Sequence, residues 1–266
     1  VFDYSKIDIV PIRVAIENDG YCVVPNLIDQ ADVQSLQQFW LDTFEHKATK
    51  APTIWGPVLG ETNKIHFHES EEDCLFRAYD FLWNTPLHEK TRELGIGLNR
   101  LRNRIVDVDE RVGEQFSADG YGIYITVSYY PPTDGRMCTH QDQSDDRRHW
   151  HFILPLTFLG EDFSGGGNFI VDRSGNRIST DSLLAPGSVL FFDGGLTHGV
   201  DRIETTKDQT HGRMQMFSIP TFLESPVKNE RIAETISVKN FIKAKLRPMK
   251  HRLTGIRGAA PDRNYF

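Results

Sequence analysis

Between residues 120 and 223 the chain divides into eight short apolar runs, each bounded by turn-forming residues. The runs are Tyr121–Tyr130, Arg136–Asp142, Trp150–Leu159, Asn168–Val171, Arg177–Ser182, Ser188–Phe192, Thr197–Ile203 and Arg213–Phe222. Glycine, proline and aspartate mark the breaks, as in Pro131-Pro132-Thr133-Asp134-Gly135, Ser164-Gly165-Gly166-Gly167 and Ala185-Pro186-Gly187. Short strands at regular spacing with such turns predict a sandwich or barrel. Eight is the strand count of a jelly roll. The expected fold is mainly β with flanking helices (α+β), built on a double-stranded β-helix of cupin-like type.

The flanks read differently. Residues 1–119 form a helix-rich N-terminal part with early strands, and residues 224–266 a basic helical tail, all within one domain. Ile12 to Asn18 shows a short helical pattern, broken by Asp19-Gly20 before the strand-like Tyr21-Cys22-Val23-Val24-Pro25. Asp29 suits the N-cap of a helix through Val33, Leu36, Phe39 and Trp40. Residues 73–102 carry apolar positions at helical spacing, and Pro86 and Gly95 divide them into two or more predicted helices. Ile236–Leu246 reads as a helix that Pro248 ends or kinks.

Charge is uneven. The chain carries −7 overall, yet residues 225–266 hold ten Lys/Arg against three Asp/Glu. The acidic body argues against nucleic acid as a partner. The basic positions of the tail are spread rather than clustered, as on a solvated helix packed against an acidic body. No run approaches the roughly 18 apolar residues of a membrane span, so no integral membrane association is expected. Cys22, Cys74 and Cys138 are scattered and form no CxxC pair. They predict a reducing, cytoplasmic compartment, with Cys22 and Cys74 as buried thiols and Cys138 on the strand face of His140.

The chemistry concentrates at His140-Gln141-Asp142 and Thr197-His198-Gly199. Residues i and i+2 of a strand share a face, so His140 and Asp142 can point to one centre. In a jelly roll the second and seventh strands are neighbours, which brings His198 beside them. Two histidines and one carboxylate with open positions is the ligand set of non-haem Fe(II) oxygenases. Arg213 opens the last strand. Its guanidinium matches a carboxylate in bidentate geometry and stays charged at any working pH. Tyr130 ends the first strand, which borders the last, and its hydroxyl can reach the same anion. Arg202, four residues after His198, is a rival too near the metal to bind a distal group.

In this order and spacing, several segments resemble the Fe(II)/2-oxoglutarate-dependent dioxygenase superfamily, in its phytanoyl-hydroxylase-like and prolyl-hydroxylase-like branch. They are Ser128-Tyr129-Tyr130-Pro131-Pro132, Phe163-Ser164-Gly165-Gly166-Gly167-Asn168-Phe169, Leu184-Ala185-Pro186-Gly187-Ser188-Val189-Leu190-Phe191-Phe192 and Asn18-Asp19-Gly20-Tyr21-Cys22-Val23-Val24-Pro25-Asn26-Leu27. The resemblance implies Fe(II) on His140, Asp142 and His198, with O2 and 2-oxoglutarate as co-substrates. Arg213 would pair with the distal carboxylate of 2-oxoglutarate, assisted by Tyr130, Gln215 and Ser128. The implied reaction decarboxylates 2-oxoglutarate to succinate and CO2 and hydroxylates a small molecule. Desaturation, ring closure, epoxidation and peptidyl hydroxylation are the alternatives within the superfamily. A non-catalytic cupin-like metal- or ligand-binding protein is the alternative outside it. Arg213 lies fifteen residues after His198, a longer interval than many members show, and Gln215 stands where many have serine. Asp142 disfavours halogenation, which needs the carboxylate absent.

Tyr124, Thr126, Arg148, His149 and Trp150 are candidate substrate contacts. The first two share strand parity with Tyr130; the others, with Arg147 and His151, lie close in sequence to the metal motif. His66 and His68 form a second alternating pair without an obvious third ligand. Trp55, Phe67, Phe76, Tyr79 and Trp83 read as core.

Overall fold

Strands dominate the described residues between 120 and 223, as the turn spacing predicts. The computed structural model describes residues 2–46, 64–70, 73–82, 88–114, 120–142 and 150–223. Helix α1 (Val10–Asp19) stops at Gly20, whose φ of +91° closes the helix in the left-handed region. Strand β1 (Tyr21–Val24) follows. Helix α2 (Gln30–His46) starts where the Asp29 carboxylate accepts from the Ala31 N–H at 2.8 Å. The predicted helices of residues 73–102 are replaced by a hairpin, β2 (Lys64–Ser70) and β3 (Cys74–Leu82), and one helix, α3 (Glu89–Val106). Short apolar runs do not separate strand from helix by spacing alone, and β3 is fixed by partners distant in sequence. Gly95 does not break α3. It lets the helix approach the sheet so closely that a Cβ there would meet Ile125 Cδ1 at 2.8 Å.

The eight runs become eight strands: β4 (Gly120–Tyr130), β5 (Arg136–His140), β6 (Trp150–Pro155), β7 (Gly165–Val171), β8 (Arg177–Ser179), β9 (Val189–Asp193), β10 (His198–Glu204) and β11 (Arg213–Leu223). The strand order is β1-β9-β6-β11-β4-β3-β5-β10-β7-β8, with β2 on β3. Two four-strand layers are recognisable, β9-β6-β11-β4 and β5-β10-β7-β8, joined by β3. Their interleaved sequence order is that of a jelly roll. The glycines of residues 165–167 lie inside β7 rather than in a turn before it.

Alternation decides which face each strand residue meets. Ile125, Val127, Phe152, Leu154, Phe191, Met214 and Met216 join Trp40, Leu94 and Leu98 in the core between the first layer and the helices. The opposite face looks into the space between the layers. There Ile153, Leu190 and Phe192 pack against Ile170 and Leu184, while Phe76, Tyr130, Met137 and Val200 form a second cluster. Among the described residues Cys22, Cys74 and Cys138 form no disulfide, and Cys74 is buried. Among the described residues no helix is long and apolar enough to cross a membrane. The tail of residues 224–266, Trp55, Trp83, Pro86, Arg147, Arg148 and His149 lie outside the described residues, as does the side chain of His66.

Candidate functional site

His140 ends β5 and His198 begins β10, and the two are direct partners across that antiparallel pair. Their ring centroids are 4.2 Å apart. Beyond the strand, the Asp142 N–H donates to the Gly194 carbonyl at 2.9 Å, which turns the chain back toward β10. Ligand atoms of His140, Asp142 and His198 all lie within 4.8 Å of one another. His140 Nε2 is 3.9 Å from one Asp142 oxygen and His198 Nε2 3.7 Å from the other.

Backbone carbonyls set the imidazoles. His140 Nδ1 lies 2.9 Å from the Cys138 carbonyl, and His198 Nδ1 2.8 Å from that of Leu196. A carbonyl only accepts, so each Nδ1 carries the proton and each Nε2 offers its lone pair to the shared centre. Histidines that hold metals are oriented in this way. Gln141 adds a bond across the strands, its Nε2 donating to Thr197 Oγ1 at 3.1 Å. Two imidazole nitrogens and a carboxylate converging from one side fit Fe(II). Cys138 contributes its carbonyl to this arrangement.

His151 of β6 is the neighbour that the sequence suggested only as one of a group. Its Nε2 lies 2.9 Å from Asp142 Oδ2, is buried, and makes no hydrogen bond among the described residues. Gly194 leaves room for this contact: a Cβ there would stand 2.4 Å from His151 Nε2 and 2.9 Å from Asp142 Oδ2. Trp150, predicted to contact substrate, packs instead in the core beneath the helices. Alternation along β6 sends it to the face opposite His151.

The second polar group lies where β11 begins, at the end of β4 and the start of β5, and so at the other end of β5 from His140. Arg213 pairs with Tyr130 across β11 and β4, and Gln215 with Ser128. Because Met214 and Met216 face the helices, Arg213 and Gln215 face the space between the layers. Arg213 is 1% exposed. Its Nε donates to Asp181 Oδ2 at 2.6 Å, its Nη2 to Asp181 Oδ1 at 3.0 Å, and its Nη1 to Gln215 Oε1 at 2.7 Å. Asp181 was invisible in the sequence, where it sits in a short 3-10 turn between β8 and β9. Tyr130 sets its ring 5.6 Å from the guanidinium carbon, within cation–π reach, and donates its hydroxyl to Met137 Sδ at 3.7 Å. The Ser128 hydroxyl is buried and has no hydrogen-bond partner among the described residues. A buried hydroxyl without a partner, on the same sheet face as Arg213, suits a polar ligand there. The rival Arg202 lies on the surface, paired with Asp134.

Along β4, Thr126 and Tyr124 follow on the same face. Thr126 Oγ1 donates to Asp80 of β3, its direct strand partner. Burial, and then the Asp80 carboxylate, push the Tyr124 phenol well up from its ordinary value. His68 is buried and stacks on Phe76, with 4.4 Å between ring centroids. Among the described residues only His140, Asp142 and His198 form a metal-competent group.

No protein-family profile and no curated protein sequence matches the chain. Solved structures do. A Pseudomonas putida prolyl-4-hydroxylase superposes with a TM-score of 0.54 at 14% identity, over 79% of this chain and 97% of its own. The non-haem α-ketoglutarate-dependent carbocyclase SnoK from nogalamycin biosynthesis gives 0.54 at 11% identity, over 83% and 88%. A prolyl hydroxylase from Trichoplax adhaerens, solved with a hypoxia-inducible-factor peptide, gives 0.52 at 12% identity, over 83% and 90%. The chain has the jelly-roll fold that these two hydroxylases and the carbocyclase share.

Proposed function

We propose that this protein is an Fe(II)- and 2-oxoglutarate-dependent oxygenase that hydroxylates an unactivated C–H bond of a small molecule, with release of succinate and CO2. The observation that carries this reading is the convergence of His140 Nε2, Asp142 and His198 Nε2, with both Nδ1 atoms tied to carbonyls. The buried Arg213 and the orphaned Ser128 hydroxyl supply the reason for leaving metal positions open: a co-substrate with a distal carboxylate.

His140, Asp142 and His198 would hold Fe(II). When bound, the metal would supply the oxygen-activating chemistry that couples decarboxylation of 2-oxoglutarate to substrate oxidation. Arg213 would bind the distal carboxylate, with Gln215 and Ser128 donating beside it. Phe76, Met137 and Val200 would keep water from that end, which strengthens the charge pairing. The solved neighbours include hydroxylases and a carbocyclase, so ring closure and desaturation are the reactions to separate from hydroxylation.

The test is incubation with Fe(II), 2-oxoglutarate and O2 over a panel of small-molecule scaffolds and short peptides, with mass spectrometry of each product. Hydroxylation gives succinate and a product that has gained one oxygen atom. Loss of two hydrogens identifies desaturation or ring closure, and a modified peptide identifies a peptidyl substrate. Succinate no higher than with Asp142→Ala would sink the assignment and favour a binding protein.

A further inference from the structure

The Arg213 guanidinium has five N–H donors. Three are taken: Nε and one N–H of Nη2 by Asp181, and one N–H of Nη1 by Gln215. With Asp181 on the Nε–Nη2 edge, the second N–H of Nη2 lies on the Nη1–Nη2 edge, and one N–H of Nη1 is not used by Gln215. The arginine therefore has its Nε edge closed by an internal carboxylate, and its Nη1–Nη2 edge faces away from that carboxylate. Asp181 itself is fixed from behind. Its Oδ2 accepts from the Asn168 backbone N–H at 2.6 Å, and Thr180 beside it exchanges hydrogen bonds with Asn168. Gly167, at φ +95°, makes the space: a Cβ there would lie 2.3 Å from Asp181 Oδ2. The glycine run of β7 is thus the seat for Asp181, and Asp181 is the seat for Arg213.

We propose that Asp181 is a positioning residue for co-substrate binding. By closing the Nε edge of Arg213 it stops rotation of the guanidinium and aims the Nη1–Nη2 edge at the distal carboxylate of a 2-oxo diacid. The inference rests on the reading of Arg213 as the co-substrate arginine. Asp181 remains paired when the co-substrate binds, since the two carboxylates use different edges. Misplacing a bidentate clamp costs roughly ten- to a hundredfold in a pose of this kind.

The experiment compares wild type with Asp181→Asn, loaded anaerobically with Fe(II) and titrated with 2-oxoglutarate or with oxalate. Oxalate chelates the metal but is too short to reach Arg213. The expected result is a rise of about tenfold or more in the 2-oxoglutarate Kd, with the oxalate Kd within about twofold. A merely structural role would weaken both ligands alike, and that result, or an unchanged 2-oxoglutarate Kd, overturns the proposal. A second measurement needs no variant at Asp181. In 15N-labelled, Zn(II)-loaded wild type, the Arg213 Nε–H signal, assigned with Arg213→Lys, should stay slowly exchanging before and after 2-oxoglutarate is added. Loss of that signal on binding would show Asp181 displaced and overturn the clamp. Wild type that binds oxalate but not 2-oxoglutarate would overturn the reading of Arg213 and this proposal together.

Discussion

His140 and His198 are direct register partners on β5 and β10, with ring centroids 4.2 Å apart and each Nδ1 bound to a backbone carbonyl. The candidate metal face is therefore assembled by strand pairing. A metal that binds only the folded chain stabilises it by about 2.7 kcal/mol at a hundred times its Kd. Mn(II) or anaerobic Fe(II) should raise the melting temperature of wild type, and Asp142→Ala or His198→Ala should abolish that rise. Equal rises in wild type and Asp142→Ala would place the metal elsewhere.

Gly194 gives a second handle on the same centre. Its missing side chain admits His151 Nε2 against Asp142 Oδ2. Gly194→Ala should displace the imidazole and tilt the carboxylate, weakening metal affinity by roughly ten- to a hundredfold, as loss of an orienting neighbour does elsewhere. His151→Phe, which removes the nitrogens and keeps the bulk, should give a loss of the same sign. Calorimetric titration with Co(II) reads both, and unchanged affinity in both would leave His151 without a role at the metal.

The Arg213–Asp181 pair predicts an asymmetric stability effect. Removing one member of a buried pair strands the other charge and costs about 3–5 kcal/mol. Arg213→Met should be destabilised on that scale, and the double variant Arg213→Met with Asp181→Leu should recover part of the loss. Both should lose 2-oxoglutarate binding. Urea unfolding checks the first statement; additive losses in the double variant would mean that the two residues act independently.

Tyr124 contributes to the loss of stability at alkaline pH. Burial and the Asp80 carboxylate raise its phenol above the ordinary value of 10.0. Above that pH the unfolded chain releases the proton while the folded chain keeps it, so the unfolded state binds fewer protons and stability falls as pH rises. Tyr124→Phe should flatten the decline of unfolding free energy between about pH 10 and 11. A slope identical to wild type would mean that the phenol ionises as freely in the fold as outside it.

The core strands were legible because glycine and proline mark nearly every turn between residues 120 and 223. The grouping of the candidate metal residues was legible because His140 and Asp142 stand two apart and the jelly-roll order puts β5 beside β10. The hairpin β2–β3 was not, because its apolar spacing also suits a helix and its partners, β4 and β5, come from far along the chain. Asp181 escaped for a related reason. It meets Arg213 across 32 residues from a turn whose local sequence has no signature. Trp150 was misplaced because parity along β6 cannot be anchored until the helices show which face they cover.

The central claim, that one end of the inter-layer space takes Fe(II) and the other the distal carboxylate of 2-oxoglutarate, has one direct measurement. Fe(II)-loaded wild type is titrated anaerobically with 2-oxoglutarate while the visible metal-to-ligand charge-transfer band is followed. The account predicts a saturable band in wild type, its midpoint moved to far higher concentration in Arg213→Ala, and no band in Asp142→Ala. No band in wild type, or the same midpoint in Arg213→Ala, would contradict it.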